Sequence, residues 1–271
     1  MPRPGTTNWR PFPPQTREVQ FDEKWAFVGK KQQNCRPDDP ADDHHGDHWD
    51  HVAFDPEHKL VVSLITGKRT KKHTAAVVAD FHRRTGGRMM RLITSDEYKP
   101  YKDALRRTYG EKRPRRRRFR RGRKPLPRWT APKDLLYVTV HKHRRKGRVV
   151  RVSTHVIFGT AAQLQTALAQ SPCSTKPNIA FVERYNATDR HRVSRKVRKS
   201  YRFSKDWNLH VWATWLATGT YNFCWPVRTL RMARPDGTDQ DRTPAMSAGL
   251  TDHVWQLSEW LAHPVKFHLV T

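Results

Sequence analysis

Cysteine is scarce in this chain, and the three present, Cys35, Cys173 and Cys224, stand far apart and in no Cys-x-x-Cys pair. Their odd number and spacing argue against a disulfide framework and a thiolate zinc finger, so a reducing cytoplasm is the simplest compartment. Long apolar runs are missing as well: nothing approaches the ~18 residues of a spanning helix, and no basic amphipathic terminus suggests surface anchoring. The opening residues, MPRPGTTNWRPFPP, lack the apolar stretch of a secretory signal. Acids are few, 25 Asp plus Glu against 53 Lys plus Arg, for a formal charge of +28. Like charges at that density repel in the compact state, and their natural partner is a polyanion such as DNA or RNA. Only 36% of the 271 residues are apolar, enough for one core, or one core with an elaborated insertion.

Pattern along the chain gives the organisation. Residues 1–17 hold five prolines and read as an extended lead-in. From Glu18 an aromatic-rich stretch, Val19, Phe21, Trp25, Phe27 and Val28, predicts a buried strand. Trp49–Phe54 and Leu60–Thr66 follow across the turn-like Asp55-Pro56-Glu57, and three strands so closely joined predict an antiparallel meander. A helix over Thr70–Thr85, a strand over Arg88–Ser95 and a helix over Tyr98–Tyr109 come next, placing the fourth strand beside the first in a mixed sheet covered by helices. Residues 110–124 carry ten Lys or Arg in fifteen positions, a low-complexity basic arm. Leu135–Val140 and Val149–Phe158 predict a hairpin about the basic turn His141–Arg148, and Ala161–Gln170 a short helix. Ile179–Tyr201 is expected to be helical in its later part, Lys205–Phe223 throughout, and Thr251–Leu261 to form a short helix.

Three acids stand out by position. Asp22 lies within an apolar, aromatic strand, where an unpaired carboxylate is costly. Asp96 ends the fourth strand, where sites collect in sheets with parallel strands, although it could equally cap the helix that follows. Glu183 opens a helical stretch with Asn186 and Arg190 at i+3 and i+7 on the same face, although alone it reads as an ordinary solvated glutamate. Two strands and a helix offering three carboxylates match the needs of a two-metal site for Mg²⁺ or Mn²⁺, which take oxygen ligands.

The segments FDEKWAFVGKK (21–31), LVVSLITGKRT (60–70), ITSDEYKPY (93–101) and FVERYNATDRHRVSRKVRKSYRFSK (181–205) resemble the DDE transposases of the bacterial insertion-sequence-one family. The last segment is the most specific, and the resemblance spans about residues 18–225. It implies an α/β, RNase H-like domain: three antiparallel strands plus parallel ones flanked by helices, a basic insertion at about 110–160, and a C-terminal extension over 226–271. It also implies that Asp22, Asp96 and Glu183 are the catalytic acids and hold two metal ions. Asn186 and Arg190, with Arg115, Arg116, Arg117, Arg118, Arg120 and Arg121 of the arm, are the expected DNA contacts. The implied partners are element ends and target DNA, bound by a homo-oligomer in the bacterial cytoplasm at the nucleoid. Family members read element ends with an N-terminal zinc-finger or helix-turn-helix module. Only about twenty residues precede the first catalytic strand here, so that module is expected from an upstream frame or has been lost.

Two other readings stay open: a non-catalytic basic nucleic-acid-binding protein, such as a decayed transposase, and an RNase H-like nuclease without strand transfer. Among the remaining clusters, the acidic and histidine-rich run Asp38–His48 reads as a solvated loop rather than a metal site, with Asp50 set apart because it starts a strand. Trp207, Trp212 and Trp215 are expected to pack in the core rather than stack on bases.

Overall fold

The computed structural model describes residues 15–115, 126–235 and 237–262. In chain order the main elements are β1 (Glu18–Val28), β2 (Gly46–Asp55), β3 (Leu60–Gly67), α1 (Lys71–Arg84), β4 (Leu92–Ser95), α2 (Pro100–Tyr109), β5 (Glu111–Arg113), β6 (Arg128–Thr130), β7 (Tyr137–Arg145) and β8 (Arg148–Phe158). The helices α3 (Ala161–Ala169), α4 (Ala180–Arg192), α5 (Trp207–Gly219), α6 (Pro244–Ser247) and α7 (Leu257–Ala262) complete them. Six strands form one mixed sheet in the order β3-β2-β1-β4-β7-β8. β1 runs antiparallel to β2 and parallel to β4, β4 is parallel to β7, and β7 and β8 form an antiparallel hairpin. The predicted meander and the placing of the fourth strand beside the first therefore hold.

Side-chain alternation along these strands splits the core into two layers, as expected for a sheet covered on both faces. On one face Val19, Phe21, Ala53 and Ile93 pack with Val77, Val78 and Phe81 of α1 and Tyr101 and Leu105 of α2. On the other, Val52, Phe54, Val61 and Leu64 pack with Val182 and Tyr185 of α4, while Leu92 and Val138 pack with Ala167 of α3. Residues C-terminal to 225 are not peripheral: Ala245, Leu250 and Trp255 belong to the first layer alongside Phe223. No helix among the described residues is long and apolar enough to cross a membrane.

Several boundaries differ from expectation. The predicted basic turn 141–148 is largely strand, and the hairpin turns only at Lys146-Gly147, both with positive φ (49° and 77°). Two consecutive left-handed residues close the tightest hairpin, so the strands run on. Flanks of the basic arm pair as a short ladder, β5 with β6, instead of staying unstructured. The helix bearing Glu183 begins at Ala180 rather than later. The run from Asp38 is not simply solvated. Asp42, in the short turn Pro40–Asp42, is buried with the Arg36 N–H and the Lys30 ammonium as partners. His48, like Asp50, is buried because β2 already begins at Gly46 and turns alternate residues inward. The core assignment fails for Trp212, which is 56% exposed on α5 beside exposed Leu209 and Leu216. Packing takes the opposite face of α5, where His210, Val211, Thr214 and Thr218 are buried.

Candidate active site

Three same-face residues of β1 fasten α4 to the sheet, and the site hangs on that junction. Gln20 Oε1 accepts from the Phe181 and Val182 backbone N–H groups at 3.1 and 3.0 Å. It thereby satisfies first-turn donors of a helix that has no side-chain N-cap of its own. Two residues along, Asp22 Oδ2 accepts from Asn186 Nδ2 at 2.8 Å. Two further, Lys24 is buried and pairs with Asp189. The Lys24 ammonium also lies 3.3 Å from Asp50 of β2, and Lys196 bonds Asp50 at 2.8 Å and Asp189 at 3.2 Å. This closed set of two cations and two anions is 4% exposed or less at every side chain. Burial alone would raise the carboxyl pKa values, but the Lys196 and Lys24 ammonium groups hold Asp50 and Asp189 below the usual range.

Docked this way, α4 brings Glu183 to the cleft that contains Asp22 and Asp96. The cleft, of about 440 Å³, is lined by all three acids and by Arg69, Glu97, His141, Lys142 and Arg144 among others. Asp22 is half-buried on β1, with its second oxygen, Oδ1, accepting the Glu23 N–H at 2.9 Å. Asp96 follows β4, and its Oδ1 accepts the Tyr98 N–H at 3.0 Å, so it does cap the turn into α2 while still facing the cleft. Burial, then the charges of Asp96 and Glu183, push the Asp22 carboxyl up to about 7. Asp96 is raised chiefly by burial, with Glu97 and Glu183 adding repulsion. On the opposite face of β1, Glu23 is likewise pushed up to about 7 by burial and the charge of Asp96.

Basic side chains answer this accumulation of negative charge. Lys142 of β7 pairs with Glu183 Oε2. Arg69, in the turn between β3 and α1, bonds Glu23 Oε2 at 3.0 Å, lies 3.7 Å from Asp96 and stacks on the Tyr98 ring at 4.1 Å. Among the described residues no three His, Cys, Asp or Glu side chains form a ready-made metal cage. The acids share one cleft, yet Lys142 and Arg69 hold two of them individually. The donor set itself suits a hard divalent cation: three carboxylates from three elements, with Asp22 destabilised as an anion by the other two.

The expected DNA contacts fare unequally. Asn186 is 4% exposed and orients Asp22 with its amide, rather than facing outward. Arg190 is half-buried, with its guanidinium 3.4 Å from the Trp25 carbonyl oxygen. Arg115 is exposed beyond β5, whereas Arg116, Arg117, Arg118, Arg120 and Arg121 lie outside the described residues. Gln20, Glu23, Lys24, Arg69 and Lys142 were not singled out from sequence. For Gln20 and Lys24 the available signal was the alternation of polar residues at 18, 20, 22 and 24 with apolar Val19 and Phe21 in β1. No family model matches the chain, and no curated protein matches its sequence.

Proposed function

We propose that this chain is a DNA transposase whose RNase H-like domain cleaves DNA at element ends and joins the freed 3′-hydroxyl to target DNA. The observation that carries this reading is the convergence of Asp22 from β1, Asp96 from the end of the neighbouring parallel β4 and Glu183 from α4 on one cleft. The strand order, an antiparallel β1–β3 meander continued by parallel β4 and β7, supports the RNase H-like assignment. Two Mg²⁺ or Mn²⁺ ions held by Asp22, Asp96 and Glu183 would supply Lewis-acid activation of the attacking oxygen and charge stabilisation at the leaving one.

The chain's own residues do the rest. Asn186 fixes the orientation of Asp22, and the Lys24–Asp50–Asp189–Lys196 set fixes the height of Glu183 over the sheet. Lys142, Arg144 and Arg69 line the cleft with positive charge that suits a phosphodiester backbone. Water attacks phosphorus, losing a proton to solvent, and the 3′-oxygen leaves as a hydroxyl; that hydroxyl then attacks a target phosphodiester at the same site, and the target strand's own 3′-oxygen leaves. In-line exchanges of this kind ask a protein mainly for positioning and electrostatics.

A non-catalytic DNA-binding role is favoured by one observation, the individual neutralisation of Glu183 by Lys142 and of Asp96 by Arg69. Incubating the protein with the element's terminal inverted repeats and Mg²⁺ separates the readings. Nicks and joined products, both lost in Asp96→Ala, are the expected result. Nicks without joining point to a nuclease, and neither product points to a binding protein.

A further inference from the structure

Lys142 has a position that the acid site alone does not require. Val138, Val140 and Lys142 alternate onto the α3/α4 face of β7, the first two buried, so the strand aims the lysine at the first turn of α4. There its ammonium meets Glu183 Oε2, with the two side chains 25% and 37% exposed. A pair this open to water is strongly screened and contributes little to folding. Its neighbour in the cleft wall, Arg144, reaches no carboxylate among the described residues and contacts the Gly147 carbonyl oxygen at 3.5 Å.

We propose that Lys142 is an exchangeable counter-ion built into the acid site. It holds Glu183 while the cleft carries no DNA, and transfers to a non-bridging phosphate oxygen when a divalent cation takes Glu183. This rests on the reading of Glu183 as a cation ligand. A flexible four-carbon stem ending in a compact charge suits such a change of partner better than a planar guanidinium does. The consequence is coupling. A cation entering the DNA-free protein must displace Lys142, whereas in the complex the phosphate has already drawn the ammonium away. By linkage, DNA tightens cation binding by the same factor as the cation tightens DNA binding. A protein that meets cytoplasmic Mg²⁺ continuously would thereby assemble its full site mainly where a phosphodiester is in place.

The test is Mn²⁺ binding by calorimetry to the full chain, with and without a short DNA duplex. Without DNA, Lys142→Gln should bind Mn²⁺ roughly two- to fivefold more tightly than wild type, the order expected for releasing one screened ion pair. Lys142→Arg, which keeps the charge, should stay near wild type, and Arg144→Gln should shift affinity clearly less than Lys142→Gln. Adding duplex should tighten Mn²⁺ binding to wild type and much less to Lys142→Gln. The proposal is overturned if Lys142→Gln leaves affinity unchanged or weaker, or if Arg144→Gln matches it, since the effect would then be general charge. Asp22→Asn keeps the two levels apart. If wild type binds Mn²⁺ and Asp22→Asn does not, a failure concerns Lys142 alone. If wild type and Lys142→Gln both fail to bind, or Asp22→Asn binds as well as wild type, the acid-site reading falls and takes this proposal with it.

Discussion

Replacing Glu183 by glutamine tests the chemistry of a single atom, because shape and hydrogen-bond acceptance survive while the negative charge is lost. Glu183→Gln should melt near wild type and still bind DNA, yet lose nicking of end DNA, since Mg²⁺ strongly prefers carboxylate oxygen. Wild-type nicking by this variant would remove Glu183 from the site. Asp22 makes a second residue-level prediction, in pH. Its folded-state pKa of about 7 lies above the ordinary 3.8, so ionising it opposes folding. The stability it contributes is full below about pH 4 and is lost as pH rises through about 7. Buried His48, His51 and His210, lowered by burial to about 3, 4 and 4, act in the opposite sense below pH 6.5. The informative quantity is therefore a difference: Asp22→Asn should gain stability over metal-free wild type between pH 5 and pH 8, by about 1–3 kcal/mol in a partly solvated cleft. A difference that stays flat over that range would mean Asp22 is already an ordinary carboxylate. The three acids were legible because each breaks a local pattern, an acid within or ending an apolar strand, or opening a helix face shared with an amide and a guanidinium. Lys142 and Arg69 break none; as lone cations in a chain with 53 Lys and Arg they carry no local signal, and their partners lie 41 and 46 positions away. Lys24 shares the polar alternation of β1, but its partner lies 165 positions on.

Among the elements, α4 depends most on non-local support. Its first-turn donors are satisfied by Gln20 of β1, and its buried Asp189 completes the four-charge set with Lys24, Asp50 and Lys196. Removing one member strands a buried charge, so Asp189→Ala should cost about 3–5 kcal/mol, whereas Lys24→Met combined with Asp189→Leu should cost far less. Urea unfolding of these two variants and of Lys24→Met checks this, and a double-variant loss equal to the sum of the single losses would mean the charges act independently. Early helical onset at Ala180 had one local signal, Asn178, whose side-chain oxygen accepts the Ala180 N–H at 3.1 Å, while the acceptor for the next two donors, Gln20, belongs to another strand. Strand identity was easier to read, because alternation in β1–β3 is a local pattern. The β7–β8 turn was misplaced because strands rich in Arg, Lys and His look like loop, although a Lys-Gly pair with positive φ is ample to reverse the chain.

Taken whole, the molecule carries +28 of formal charge, and its densest part is the segment between β5 and β6. Residues 116–125 hold seven Lys or Arg, and exchanging them for a Gly/Ser linker spares the β5–β6 ladder. The linker variant should bind all DNA sequences more weakly, with a log Kd versus log salt slope shallower by several units, at ~0.9 for each phosphate that the arm no longer neutralises. An unchanged slope would place the DNA elsewhere on the surface. The first core layer has a different consequence, in time rather than space. It joins Val19 and Phe21 near one end of the described chain to Trp255 near the other, and Trp260 stacks on Phe223 within it. Gly219 lets that late tryptophan approach, since a methyl there would stand 1.9 Å from the Trp260 ring. Synthesis runs from the N-terminus at about 5–20 residues per second, so the layer around β1 waits on the order of ten seconds or more for those late partners. A nascent chain stopped before residue 245 would hold all three acids and an incomplete core, so the acid cleft acquires that support only once residues 245–260 have followed.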